Sequence, residues 1–219
     1  NNMIISAPTG SGKTVLFELA ICKLFSLEDF TEITSSLKVI YIAPIKTLCQ
    51  QKFSEWQEKF TKFNLKLLEL TGDTEINDFA QFDSANIIIT TPEKWDATTR
   101  RWKDNNRLVL NVKLLLIDEV HLLNTEERGA TLEAAVTRMK LISKSDEMKG
   151  TPCAGLRIIA VSATIPNIHD LAEWLEVSED CIKSFGDEFR STPIEKHVFG
   201  YNMQKNEFQF ERSLNYRLV

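Results

Sequence analysis

A run near the start of the chain, Ala7-Pro8-Thr9-Gly10-Ser11-Gly12-Lys13-Thr14, sets two glycines, a lysine and three hydroxyls side by side. Glycines let a backbone curl its N–H groups around a phosphate, the lysine neutralises β/γ charge, and a hydroxyl at Thr14 suits a Mg²⁺ ion. The run follows an apolar stretch and opens a helical one, which is the setting a phosphate loop needs. Its first position is Ala7, where the usual pattern has glycine. Much further on, Asp118-Glu119-Val120-His121 closes the apolar run Val112–Ile117. An acid at the end of a buried strand can hold Mg²⁺, and a second beside it can orient and deprotonate an attacking water. Asp118 suits the metal role and Glu119 the base role. Adjacent acids at a strand end are commonplace alone, but beside a phosphate loop they complete a nucleotide site.

Small and charged residues also follow the other apolar runs. Ser162-Ala163-Thr164 follows Leu156–Val161, and its hydroxyls can hydrogen-bond neighbouring acids. Ala43-Pro44-Ile45-Lys46-Thr47-Leu48 and Thr90-Thr91-Pro92-Glu93-Lys94-Trp95-Asp96 bring hydroxyls and a helix N-terminus to a strand end, with Thr71-Gly72-Asp73 between them. That arrangement suits a phosphodiester backbone.

The elements that must position these groups alternate: short apolar runs, then longer helical patterns, the signature of a parallel sheet covered on both faces. Strands are expected at Met3–Ser6, Lys38–Ala43, Leu65–Leu70, Ile87–Thr90, Val112–Ile117 and Leu156–Val161. Several are apolar on consecutive residues, as strands buried on both faces should be. The helix Lys13–Phe25 is apolar around most of its circumference, which predicts a buried helix against the sheet. Leu48–Phe63 spaces Phe53, Trp56, Phe60 and Phe63 as an amphipathic stripe, read as core packing. Ser26–Leu37 and Ser143–Gly155 read as surface loops. From Pro193 the pattern turns extended over Ile194–Tyr201 and then polar. The organisation expected is an α/β domain over 1–192 and a connector over 193–219. In an open parallel sheet the ligand crevice lies beyond the carboxyl ends of the strands, so all the clusters converge on one edge.

With 219 residues, 43% of them apolar and 26% charged, the composition is that of a globular chain, not a fibre or a disordered tail. Net charge is −5, which lacks the footprint of a simple nucleic-acid coat. The average conceals an uneven distribution: residues 38–66 carry net +4 and residues 118–188 net −7. Cys22, Cys49, Cys153 and Cys181 form no C-x-x-C pair, so neither a zinc site nor a disulfide framework is expected, and a reducing intracellular setting is the default. The most apolar stretch, Leu108–Ile117, is far short of the roughly 20 residues of a membrane span.

Taken in order, Ala7–Thr14, Ala43–Leu48, Thr71–Asp73, Thr91–Trp95, Asp118–His121 and Ser162–Thr164 resemble motifs I, Ia, Ib, Ic, II and III of superfamily-two helicases. Asp-Glu-Val-His in the second motif, with Thr91–Asp96 and Ser162–Asn167, is similar to the Ski-like branch. Ala43-Pro44-Ile45-Lys46 and Arg128-Gly129-Ala130-Thr131-Leu132-Glu133 are most similar to its meiotic crossover-promoting DNA helicases. The resemblance implies a three-layer RecA-like P-loop NTPase lobe, the N-terminal one of two, using ATP and Mg²⁺. It implies triphosphate contacts from Thr9, Gly10, Ser11, Gly12 and Lys13, Mg²⁺ contacts from Thr14 and Asp118, and water activation by Glu119. His121, Ser162 and Thr164 would couple hydrolysis to movement, and Pro44, Lys46, Thr71, Gly72, Thr91 and Lys94 would follow the nucleic-acid strand. It also implies a nuclear protein with a second lobe carrying arginine fingers. No Q-x-x-G-R-x-G-R string occurs in these residues, so the chain alone is expected to hydrolyse ATP barely, if at all. Backbone contacts carry no base information, so an RNA-acting relative, or a nucleotide-gated clamp without unwinding, stays open at this stage.

Overall fold

The computed structural model describes residues 1–26, 36–72, 79–104, 106–125, 128–190, 192–195, 197–200 and 206–215. Asp73, most of the expected Ser26–Leu37 loop, Tyr201 and the last four residues lie outside these. The strands are β1 (Met3–Ser6), β2 (Lys38–Ile42), β3 (Leu67–Leu70), β4 (Ile87–Thr90), β5 (Val112–Ile117), β6 (Arg157–Ser162) and β7 (Ile182–Ser184). They form one seven-stranded sheet in the order β3-β4-β2-β5-β6-β1-β7. Every pairing is parallel. Each strand therefore ends at the same edge, where the clusters of small and charged residues follow.

Successive side chains on a strand point to opposite faces. In β2, Val39 and Tyr41 enter one core while Ile40 and Ile42 enter the other. The first core packs under α1 (Lys13–Ser26) and α2 (Lys46–Phe60), with Phe17, Ile21, Trp56 and Phe60 buried. Trp56 is 0% exposed, and truncating such a residue to alanine costs about 3–5 kcal/mol. On the other face lie α3 (Phe79–Ser84), α4 (Pro92–Thr99), α5 (Arg107–Leu110), α6 (Gly129–Ser143) and α7 (Ile168–Trp174). A further helix, α8 (Glu207–Asn215), stands in the tail that reads as a polar connector.

Several local expectations need correction. In α1, Val15, Leu16 and Leu19 are 52%, 38% and 59% exposed, so only one side of this helix is core. Phe63 is exposed too, because the α2 stripe ends in a 3₁₀ turn (Thr61–Phe63) that swings it off the sheet. The Ser143–Gly155 loop contains two 3₁₀ turns, Asp146–Met148 and Pro152–Gly155, which bury Met148 and Cys153. Lys38, counted within the basic stretch, is 1% exposed. Its ammonium donates to the carbonyls of Phe82 (2.7 Å), Asp83 (3.0 Å) and Ala85 (2.9 Å), around the C-terminus of α3. Burial lowers its pKa to about 8. Lys52 and Lys59 are engaged with Glu55 and Glu18, so the basic face is smaller than the residue count implies.

Candidate nucleotide and nucleic-acid site

The loop between β1 and α1 turns on Gly10 and Gly12, at φ of 83° and 84°, a left-handed conformation that L side chains resist. A Cβ at either would meet nothing within 4 Å, so the bend is required by the backbone path and the space beside it is open. Lys13 folds back over the loop and donates to the carbonyls of Ala7 (2.9 Å) and Pro8 (3.0 Å). The hydroxyl of Ser11 is buried with no hydrogen-bond partner among the described residues. A curled glycine backbone at a helix N-terminus, a lysine resting on neutral carbonyls and an unmatched hydroxyl fit a polyphosphate.

At the end of β5, Glu119 has φ 50°, uncommon for a residue with a side chain, and starts the 3₁₀ turn Val120–Asn124. Asp118 accepts the Tyr41 hydroxyl on Oδ2 (2.5 Å) and the Glu119 N–H on Oδ1 (3.0 Å). Burial first, then the charge of Asp118, pushes the Tyr41 phenol far above its ordinary range. Glu119 Oε2 is buried without a hydrogen bond, 3.3 Å from His121 Nδ1. The same nitrogen accepts the Ala163 N–H at 3.4 Å. Accepting that N–H needs a lone pair, whereas pairing with the carboxylate needs a proton, so the ring serves one neighbour at a time.

Ser162 and Thr164 do not reach the acids through their hydroxyls: Ser162 Oγ is buried and unpartnered, and Thr164 is exposed. The turn is held by Ser6, whose hydroxyl donates to the Ala163 carbonyl (3.1 Å) and accepts the Ile165 N–H (3.4 Å). Ala7 N–H donates to the Ser162 carbonyl at 3.1 Å, so the phosphate loop and the third motif share backbone.

Of the residues expected along a nucleic-acid strand, Gly72 is exposed and Lys46 and Lys94 are partly so, while Pro44, Thr71 and Thr91 are buried. The buried ones shape the edge. Thr91 is the N-cap of α4, its hydroxyl accepting the Lys94 N–H (3.4 Å), with Pro92 in the first turn. Thr71 donates to Glu69 at 3.3 Å. The Pro44 carbonyl accepts Arg128 Nη1 at 3.1 Å, and Arg128 also approaches Glu93 at 3.9 Å. Arg128 thus bridges the loop after β2 and the first turn of α4 from the start of α6. Beneath them Asp96, 3% exposed, binds Arg138 (2.7 Å) and Arg100 (2.7 Å), tying α4 to α6. Gly129 is required by packing: a Cβ there would run into the Leu123 carbonyl of the acid turn.

Sequence reasoning assigned no role to Tyr41, Ser6 or Arg138, and quoted Asp96 and Arg128 within motifs without seeing what they hold. Tyr41 carried a signal, since a hydroxyl inside an otherwise apolar strand needs a partner, and so did Asp96, four residues before Arg100.

A parallel sheet with a glycine loop feeding a helix, and an acid pair at the end of the strand two places along, is a RecA-like P-loop NTPase domain. More narrowly, the chain belongs to the DEAD/DEAH box helicase family, whose profile matches residues 1–171. It is 50% identical over 220 residues to "ATP-dependent DNA helicase homolog MER3" of Arabidopsis thaliana, covering 97% of this chain and 19% of that protein. It is 48% identical over 225 residues to "Probable ATP-dependent DNA helicase HFM1" of Homo sapiens, covering 100% of this chain and 15% of that protein. The DUF1998 helicase MrfA, solved with DNA and AMPPNP, superposes with a TM-score of 0.64 at 21% identity, over 85% of this chain and 25% of that one, which speaks to the fold alone. The four cysteines are free thiols, and no described helix is long and apolar enough to cross a membrane.

Proposed function

We propose that this chain is the ATP-binding lobe of a nucleic-acid-dependent ATPase that translocates on and unwinds DNA in meiotic recombination, in the nucleus. Residues 1–192 are the motor lobe, and 193–219 lead toward a second RecA-like lobe of the same protein. The observation that carries this reading is the convergence of the Lys13 loop, the Asp118–Glu119 pair and the Pro44 and Thr91 turns on one sheet edge. Identity to relatives named as DNA helicases favours DNA over RNA.

Thr9, Gly10, Ser11, Gly12 and Lys13 would hold the triphosphate, Lys13 exchanging its two loop carbonyls for phosphate oxygens. Thr14 and Asp118 would hold Mg²⁺, which neutralises β/γ charge when bound. Glu119, with one oxygen unmatched, orients the attacking water and takes its proton. His121 moves between Glu119 and the Ala163 N–H, coupling the acid to the Ser162–Thr164 turn. Lys46, Gly72 and Lys94, on turns shaped by Pro44, Thr71 and Thr91, line the strand path. The presence of both Lys13 and Glu119 favours a working motor over a nucleotide-gated clamp.

In the intact protein, Glu119→Gln lowers DNA-stimulated ATPase by about 10²–10⁴-fold while nucleotide still binds. Lys13→Ala abolishes turnover. Normal stimulated ATPase in either variant rejects these roles. Strand separation with ATP, absent with a non-hydrolysable analogue, separates motor from clamp.

A further inference from the structure

Tyr41 sits in the middle of the sheet, on a strand whose five residues are all buried, and its ring is 1% exposed. A phenylalanine would fill this space equally well; the hydroxyl adds a polar atom that costs free energy unless it is hydrogen-bonded. Its partner is the Asp118 carboxylate, at 2.5 Å, the short distance of an O–H···O⁻ bond. The ring is clamped edge-on by Phe17 of α1 (5.6 Å between centroids) and Trp56 of α2 (4.9 Å), so the hydroxyl has one place to point. The other Asp118 oxygen accepts the Glu119 N–H. With a donor on each oxygen, the carboxylate is fixed in one orientation, and each oxygen keeps lone-pair capacity for a further ligand.

We propose that Tyr41 is a positioning residue for Asp118, presenting its carboxylate to the divalent cation that accompanies the nucleotide. This rests on the nucleotide-site reading above and adds to it the group outside the ligand set that orients the metal ligand. Outer partners of this kind change metal affinity by about 10–100-fold when removed. The aromatic contacts give the arrangement a second consequence: α1, which follows the phosphate loop, and α2, which follows the Pro44 turn, both press on the ring that aims the carboxylate.

The test is Tyr41→Phe in the intact protein, with Mn²⁺ as the probe: free Mn²⁺ is read by electron paramagnetic resonance in the presence of ADP, and metal-free ADP binding is measured separately. The expected result is a dissociation constant for Mn²⁺ raised about tenfold, with metal-free ADP affinity unchanged. Because the number of metal-free ADP sites per chain reports folded protein, a variant that is partly unfolded is recognised and the Mn²⁺ value is taken on the folded fraction. Unchanged Mn²⁺ affinity overturns the proposal and leaves Tyr41 a packing residue. If the unaltered protein binds no Mn²⁺ with ADP, or Asp118→Asn binds it equally well, the nucleotide-site reading has failed instead.

Discussion

On the β2–β4–β3 side of the carboxyl edge the hydroxyls are used up within the fold: Thr91 caps α4, Thr71 donates to Glu69, and Thr90 donates to the Thr91 carbonyl. On the β5–β6–β1 side, Ser11, Glu119 and Ser162 each bury an oxygen with no hydrogen-bond partner among the described residues. An unmatched buried polar atom costs about 1–3 kcal/mol, so the second group represents stability given up on the side where nucleotide is proposed to bind. The first group is scaffold, holding two turns in a fixed shape. Trp95 Nε1, buried and unpartnered under α4, is the exception on the scaffold side.

The largest effect should come from the join between the two sides. Gly129→Ala forces a methyl into the Leu123 carbonyl, and thermal unfolding should register a loss of about 3 kcal/mol. An unshifted midpoint would mean that the acid turn and α6 move independently. Next is Asp96→Asn, expected to cost about 2 kcal/mol because Arg138 loses its partner, partly screened by exposure of Arg138 and Arg100. Burial pushes the Asp96 carboxyl up, but the arginine hydrogen bonds outweigh it and hold it below the usual carboxylate range. Because the folded value lies below the unfolded one, this stabilisation is complete above the ordinary carboxylate range and is lost as pH falls through the folded value. The stability gap between the unaltered chain and Asp96→Asn should therefore narrow as pH falls below the ordinary carboxylate range; a gap that does not narrow in acid would show that the ion pair is not its source.

The smallest effect contrasts the two sides directly. Thr91→Val removes a cap and should cost about 1 kcal/mol. Ser162→Ala removes an unmatched hydroxyl and should cost nothing or stabilise slightly without nucleotide. Equal losses in chemical denaturation would erase the distinction between the two sides.

What could be read in advance follows the same division. Strands such as Ile87–Thr90 and Val112–Ile117 were legible to the residue because a strand buried on both faces is apolar throughout. Met3–Ser6 was equally clear, and the glycine loop and acid pair announced themselves because their chemistry constrains residue type. β7 was not legible: it is short and mostly exposed, and it exists because β1 offers an open edge at Ile4–Ser6. Lys38 looked like surface charge, since nothing local reveals that the carbonyls around the end of α3 will converge on it. The roles of Arg128 and Arg138 were silent for a related reason. Their partners, the Pro44 carbonyl and Asp96, lie on elements distant in sequence, whereas the Asp96–Arg100 pair follows i,i+4 spacing along one helix.

The left-handed backbone at Glu119 has a consequence for how such a chain can change. Glycine or asparagine would occupy that conformation with less strain, so the position resists selection for stability alone. On the proposed base role of Glu119, a lineage released from hydrolysis would find relief close at hand in a single substitution. The angle by itself marks no function, since Glu176 holds φ 55° beside Lys140 and Lys144; at Glu119 it is the proposed base role that gives the strain a purpose.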